Sequence, residues 1–462
     1  MPAKLITAIR IKKLFGLYTY DLPSNGELSN AAILYGDNGV GKSTLLRLAF
    51  HLLSAANNRG HRGALLKVDF ESLEVDLASG VTLAASIRYE GDKKILYLTI
   101  LKENNTLVIW EHFPKSEQAF LIDAESFDFE FNNDGSHVIR KRIRRNAKSE
   151  VDSIPRGNEA YLSVLSQYAP KAFILNAERR LDSDVVADPS DEVELRRVMR
   201  YDEPKRINEL VARSREIALS QALSSAARWV GQKAIIGTNQ GSMNVHSVYT
   251  DVLHRLIAPS SPQSKPSDNV AVPQLLKTLV DIEERTADHA KYEFSTILST
   301  ADFRKALSTR SKGRSQLAAQ LLQPYIRSLE RRLDGIDPIY RLIDKFVKTL
   351  NGFLRDKEIT FKLSQGFGIQ NSRGHPLSPA QLSSGEQQLL LLFCYVLTAR
   401  DEPSVFMIDE PEISLNVKWQ RQLIQALLDI TEGATIQFVF ASHSMELLAQ
   451  HRSRVVKLEN KS

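Results

Sequence analysis

A chain of 462 residues with 43% hydrophobic and 25% charged residues is an ordinary folded composition, long enough for two or three domains at roughly 150 residues each. A formal net charge of +5 permits a nucleic-acid or acidic-protein partner without requiring one, and a single cysteine, Cys394, excludes internal disulfides and any cysteine-rich metal site. No apolar run approaches the roughly 20 residues of a membrane span and the start lacks the apolar core of a signal peptide, so a cytoplasmic chain without membrane contact is expected.

In chain order, residues 5–15 alternate apolar and basic side chains as a half-exposed strand does, and residues 17–22 continue the pattern. Residues 31–35 then read as a short buried strand and residues 42–56 as a helix, with Leu45, Leu48, Ala49 and Leu52 at helical spacing. Between them stands Gly36-Asp37-Asn38-Gly39-Val40-Gly41-Lys42-Ser43-Thr44, a full phosphate-binding loop in the strand-loop-helix order it needs. Its glycines let successive backbone N–H groups turn toward phosphate oxygens, and the helix N-terminus adds partial positive charge. Lys42 is placed to reach the β and γ phosphates of ATP and the Ser43 hydroxyl to take Mg²⁺.

Residues 72–77, 81–89 and 95–101 alternate between Gly80, Gly91 and Asn104-Asn105 turns, which predicts an antiparallel β layer that residues 127–131 extend. Residues 139–148 carry Arg140, Lys141, Arg142, Arg144, Arg145 and Lys148, the densest positive run and a candidate for nucleic-acid or phosphate contact. A buried strand follows at 171–175. Helical periodicity then dominates 192–199, 204–230, 273–298 and 316–354, interrupted by a Pro/Ser-rich loop at 258–272. Without a sustained heptad repeat no long coiled coil is expected, although 317–333 suggests a short helical hairpin arm.

Toward the C-terminus, 358–369 alternates like a strand, and Leu382-Ser383-Ser384-Gly385-Glu386 opens an apolar helix at 389–397 that buries Cys394. Residues 405–410 form a hydrophobic strand ending in Asp409-Glu410, and 435–441 another ending in Ser442-His443. A carboxylate at Asp409, closing a buried strand, suits the Mg²⁺ held by Ser43, while Glu410 is placed to polarise an attacking water. His443 closes a second buried strand, where it would hydrogen-bond the γ-phosphate and that water. Ser383, the Gly385 N–H and the N-terminal dipole of the helix containing Glu386 make a second phosphate site.

These four parts in this order resemble ABC-class ATPase heads, in particular the group containing SMC, RecF and OLD-type ATPases, over residues 5–62 and 358–458. The resemblance implies an α/β head in which a P-loop sheet and an antiparallel β layer are interrupted by a helical insert: 1–180 the first ATPase lobe, 181–356 the insert, 357–462 the second lobe. It implies ATP and Mg²⁺ as cofactors. It also implies a homo-dimer or higher homo-oligomer, because Ser383 and Gly385 would bind the γ-phosphate held by another copy's P-loop. Ser384 stands where the family usually has a second glycine, and residues 176–179 are the nearest candidate for the glutamine contact of that family. Size and insert are similar to AriA-type ATPases of the PARIS anti-phage systems, which implies a separately encoded Toprim-type effector nuclease and a phage-encoded trigger protein. The alternative is a RecF-like DNA-repair ATPase that binds DNA directly.

Overall fold

The structure is a computed structural model and describes residues 4–57, 59–91, 93–103, 105–113, 127–131, 137–141, 155–176, 181–183, 204–242, 271–412 and 417–461. In chain order the elements are β1 (Ile6–Leu14), β2 (Tyr18–Leu22), β3 (Ala31–Tyr35), α1 (Lys42–Leu53), α2 (His61–Leu66), β4 (Ser72–Leu77), β5 (Val81–Glu90), β6 (Lys93–Lys102), β7 (Asn105–His112), β8 (Phe127–Phe131), β9 (His137–Lys141), α3 (Asn158–Tyr168), β10 (Lys171–Leu175) and β11 (Leu181–Ser183). Then follow α4 (Pro204–Ser242), α5 (Val272–Ala290), α6 (Ala301–Leu307), α7 (Lys312–Phe353), β12 (Lys357–Lys362), β13 (Gly366–Asn371), α8 (Ser384–Thr398), β14 (Ser404–Asp409), α9 (Val417–Ile430), β15 (Ile436–Ser442), α10 (Met445–Gln450) and β16 (Val455–Lys457). This is the expected α/β head with a P-loop sheet, an antiparallel β layer and an interrupting set of helices.

The chain divides into two compact units, the first comprising residues 1–189, 399–424 and 431–462, the second 190–398 and 425–430. Among the described residues the first unit holds two six-stranded sheets. One is antiparallel in the order β2-β1-β4-β5-β6-β7; the other runs β11-β10-β14-β15-β3-β16, parallel except for β11. β14 and β15 are buried at every position, as strands covered on both faces must be. β3, which carries the phosphate-binding loop, lies between β15 and β16, so both its neighbours come from the last part of the chain.

Leu45, Leu48, Ala49 and Leu52 of α1 are buried in one core with Ile9 and Ile11 of β1 and Val439 and Ala441 of β15. One polar side chain ties the two sheets. Gln437, fully buried in β15, accepts from Leu5 N and Ile6 N at 2.9 and 2.7 Å and donates to Ile6 O and Ser29 O at 2.9 and 3.0 Å. Most buried side-chain amides are satisfied in this way.

The second unit is mainly helical. α5 and α7 run parallel, because Arg285 meets Asp334 and Asp337 while Lys291, further along, meets Asp344. Leu275, Leu279 and Ile282 of α5 share a core with Ala319, Ile326 and Leu333 of α7. The stretch 317–333 is therefore part of one continuous helix, and not a hairpin arm: Ala319, Leu322, Ile326, Leu329 and Leu333 line one face against α5, and no turn residue folds it back. Gly237 of α4 lies so close to α7 that an added Cβ would stand 2.3 Å from Gly335 O, a backbone-to-backbone crossing only glycine allows.

Two further expectations are corrected. Residues 358–369 form the β12–β13 hairpin, and not one strand, since Gly366 takes a left-handed φ of +79° and reverses the chain. β8 does not extend the antiparallel layer; its backbone pairs with β9 in a separate hairpin. The helix expected at 192–199, most of the loop expected at 258–272 and residues 142–148 of the basic run lie outside the described residues. No helix among the described residues is long and apolar enough to cross a membrane.

Candidate nucleotide site

Every residue of the phosphate-binding loop sits between β3 and the first turn of α1. Gly36 is buried, Asp37, Asn38 and Gly39 are exposed, Val40 and Thr44 are half-buried. Gly39 and Gly41 adopt φ of +85° and +89°, which turns the intervening amides inward as an anion nest requires. Gly41 is doubly constrained, since an added Cβ would also lie 2.7 Å from Leu14 Cδ2. The Tyr20 hydroxyl donates to Val40 O at 2.9 Å and braces the loop from β2. Lys42, 5% exposed, donates to Gly36 O at 2.7 Å and Asp37 O at 3.0 Å, so its ammonium lies across the loop it belongs to.

The cation position is assembled from distant parts of the chain. Ser43 Oγ donates to Asp409 Oδ1 at 2.7 Å, bringing the first residue turn of α1 against the end of β14. Burial raises the Asp409 carboxyl above its usual value, with the Ser43 hydroxyl offsetting part of that. An all-oxygen pair of a hydroxyl and a buried carboxylate beside a phosphate nest fits Mg²⁺, a hard cation that prefers oxygen and few protein ligands. The residues present therefore suit the pair ATP and Mg²⁺.

Glu410 follows in a left-handed conformation, φ +48°, with its N–H held by Ala441 O at 2.8 Å. Such a φ in a non-glycine residue costs of order 1 kcal/mol or more and persists only where the surrounding structure holds it. His443 Nδ1 stands 2.5 Å from Glu410 Oε2 and 3.4 Å from Glu412 Oε1, close approaches that are not aligned as hydrogen bonds. Burial and the neighbouring Glu412 carboxyl push Glu410 up to about 7, with His443 pulling in the opposite direction. Ligand atoms of Glu410, Glu412 and His443 lie within 4.8 Å of one another, a set that could also hold a divalent cation.

Glu412 was not singled out by sequence reasoning. The signal was present, a third acidic residue two positions after Glu410, but its partners are some 30 residues away at the end of β15. Its Oε1 accepts from Ser442 Oγ at 2.7 Å and from His443 N and Ser444 N at 3.0 Å each.

In the second unit, the stretch expected to bind phosphate begins α8. Ser383 N donates to Glu386 Oε2 at 2.6 Å and Glu386 N to Ser383 Oγ at 3.4 Å, a reciprocal cap that satisfies two helix-start donors. Glu386 also receives Lys357 Nζ at 2.8 Å; burial opposes its ionisation, but Lys357 and Ser383 outweigh this and hold the carboxyl below its usual value. Gly385 is buried in the same turn. Of the segment 176–179, only Asn176 is described, at the end of β10; the other residues lie outside the described set, as do the side chains of Arg140 and Lys141.

Residues 276–449 match the family described as "AAA domain, putative AbiEii toxin, Type IV TA system". The lipoprotein-releasing system ATP-binding protein LolD of Ruegeria pomeroyi is 34% identical over 93 residues, 20% of this chain and 38% of that protein. The molybdenum import ATP-binding protein ModC of Escherichia coli is 34% identical over 82 residues, 18% of this chain and 22% of that protein. The chain thus spans well under half the length of these curated relatives. Among solved structures, the Smc head domain with an extended coiled coil bound to the C-terminal domain of ScpA from Pyrococcus furiosus aligns over 96% of this chain and 91% of that one, with 9% identity and a TM-score of 0.34. The phosphate-binding loop and the Asp409-Glu410 strand end thus meet in one place, and part of the chain is similar to ATP-binding proteins.

Proposed function

We propose that the protein is a Mg²⁺-dependent ATPase whose ATP-driven assembly acts as a sensor and scaffold for a separately encoded effector nuclease in bacterial anti-phage defence. The observation that carries the catalytic half is the 2.7 Å contact of Ser43 with Asp409, which brings the loop that would hold phosphate to the strand end that carries Glu410. The amides of residues 36–43 and Lys42 bind the phosphates, and Ser43 and Asp409 hold the cation. When bound, Mg²⁺ neutralises charge developing on the phosphate oxygens. Glu410 accepts a proton from the attacking water, and His443 orients that water and the γ-phosphate.

The reading of Ser383 and Gly385 as the contact to another copy's nucleotide rests on the resemblance to ABC-class heads and on the helix start they form. Control of a Toprim-type nuclease, with a phage protein as trigger, rests on the resemblance to AriA-type ATPases. The test is to purify the chain with the proteins encoded beside it and weigh the assembly by mass photometry, with and without ATP. Co-purification of a nuclease together with Mg²⁺-dependent ATP turnover is expected. A chain that turns over ATP but purifies alone and binds DNA would instead be the RecF-like repair ATPase.

A further inference from the structure

Glu412 is 8% exposed, and its Oε1 accepts three hydrogen bonds, all from the turn that leaves β15: Ser442 Oγ, His443 N and Ser444 N. A carboxylate collecting two backbone N–H groups and a hydroxyl is a strong, directional clamp, because each bond is charge-assisted and the site is largely dry. The turn is further pinned by Ser444, whose N–H also reaches Ser442 Oγ at 3.0 Å and whose Oγ donates to Gln420 Oε1 at 3.0 Å before capping α10 at Leu447 N. His443 is the residue in the middle of this turn. Its backbone is clamped while its side chain is 51% exposed and faces Glu410. A buried anchor therefore holds the main chain of a working group that projects outward.

We propose that Glu412 is a positioning residue: by fixing the backbone of residues 442–444 it sets the direction of the His443 imidazole relative to Glu410. The proposal rests on the reading that Glu410 and His443 serve ATP hydrolysis. Glu412 makes no hydrogen bond to Ser43 or Asp409, but its carboxyl also bears directly on Glu410, so the part of its effect that runs through His443 is the part lost in a His443→Ala background.

Glu412→Ala is expected to lower kcat for ATP about 10- to 100-fold, the usual cost of losing a residue that orients a catalytic group, with KM changed less than about threefold. Glu412→Gln, whose amide oxygen accepts the same three donors, is expected to restore most of kcat. The deciding measurement is a double-mutant cycle: in a His443→Ala background Glu412→Ala should cost much less than in the wild type, only what its direct effect on Glu410 contributes. An equal loss with and without His443 would overturn the proposal, as would a rise in KM with kcat unchanged. Should Glu412→Ala fail to fold, Ser442→Ala removes one arm of the clamp and is expected to lower kcat several-fold only when His443 is present; the same loss in both backgrounds is again the overturning result. If the wild type turns over no ATP, the functional reading fails, and the imidazole resonances of His443 still decide this point. They are expected to be distinct in the wild type and in Glu412→Gln and to move to exposed-histidine positions in Glu412→Ala, whereas an unmoved resonance would sink the idea.

Discussion

The two candidate phosphate sites are built in opposite ways. At the loop of residues 36–44 each polar group already leans on a part of the same unit: Lys42 on two carbonyls of its own loop, Ser43 on Asp409 and Val40 O on Tyr20. At the start of α8 the groups are satisfied locally, Ser383 by Glu386 and Glu386 by Lys357, within 30 residues of sequence. The first adds to its short-range contacts one long-range tie, Ser43 to Asp409, 366 residues apart. The second is a capped helix end whose polar groups are satisfied within its own unit. Binding and chemistry should therefore fail separately at the first site, and association alone should fail at the second.

The largest effect is expected at the loop. Lys42→Ala should abolish ATP binding, whereas Glu410→Gln should retain it and lose turnover about 10²- to 10⁴-fold, the range for removal of a general base. Binding by isothermal titration and phosphate release checks both; retained hydrolysis in Glu410→Gln would take Glu410 out of that role. Next, Ser383→Arg should keep ATP binding but lose ATP-driven association of the chain in sedimentation, and undiminished association would show that α8 does not act between copies.

A pH profile sharpens the contrast further. Burial pushes Glu410 up to about 7; if it serves as the base proposed above it must be a carboxylate, so kcat should fall about tenfold per unit as pH drops below 7 and level off above it. In Glu410→Gln that limb should vanish, and its persistence would assign it to another group. The smallest effect concerns the cap: Lys357→Met leaves Glu386 buried with only Ser383 to hold it and should destabilise by about 1 kcal/mol. Thermal unfolding reads it, and an unchanged midpoint would remove Lys357 from the account.

How much of this was legible depended on how far apart the partners lie. The loop at Gly36–Thr44 and helix α1 were readable because motif and periodicity are local. Residues 358–369 were read as one strand because the alternation continues through the turn, and only the sign of φ at Gly366 breaks it. Glu412 and Gln437 were missed for a different reason: their hydrogen-bond partners lie up to 32 and up to 432 residues away. Gln437 did leave a trace, as the lone amide in the run Ile436 to Ala441, where a buried polar group has to find partners somewhere. Which partners those are is a property of the fold and not of the strand.

The position of β3 has a consequence for the protein's synthesis. Its apolar residues 31–35 leave the ribosome early, yet both strands that flank it belong to β15 and β16, the nearer beginning at Ile436, 401 residues after Tyr35 (436 − 35). At about 5–20 residues per second, that strand waits on the order of 20–80 s with both edges open. Open apolar edges invite wrong pairing, so this interval is when the nascent chain most needs a holding chaperone. The same wiring delays the cation position: Ser43 meets Asp409 only after a further 366 residues have been made.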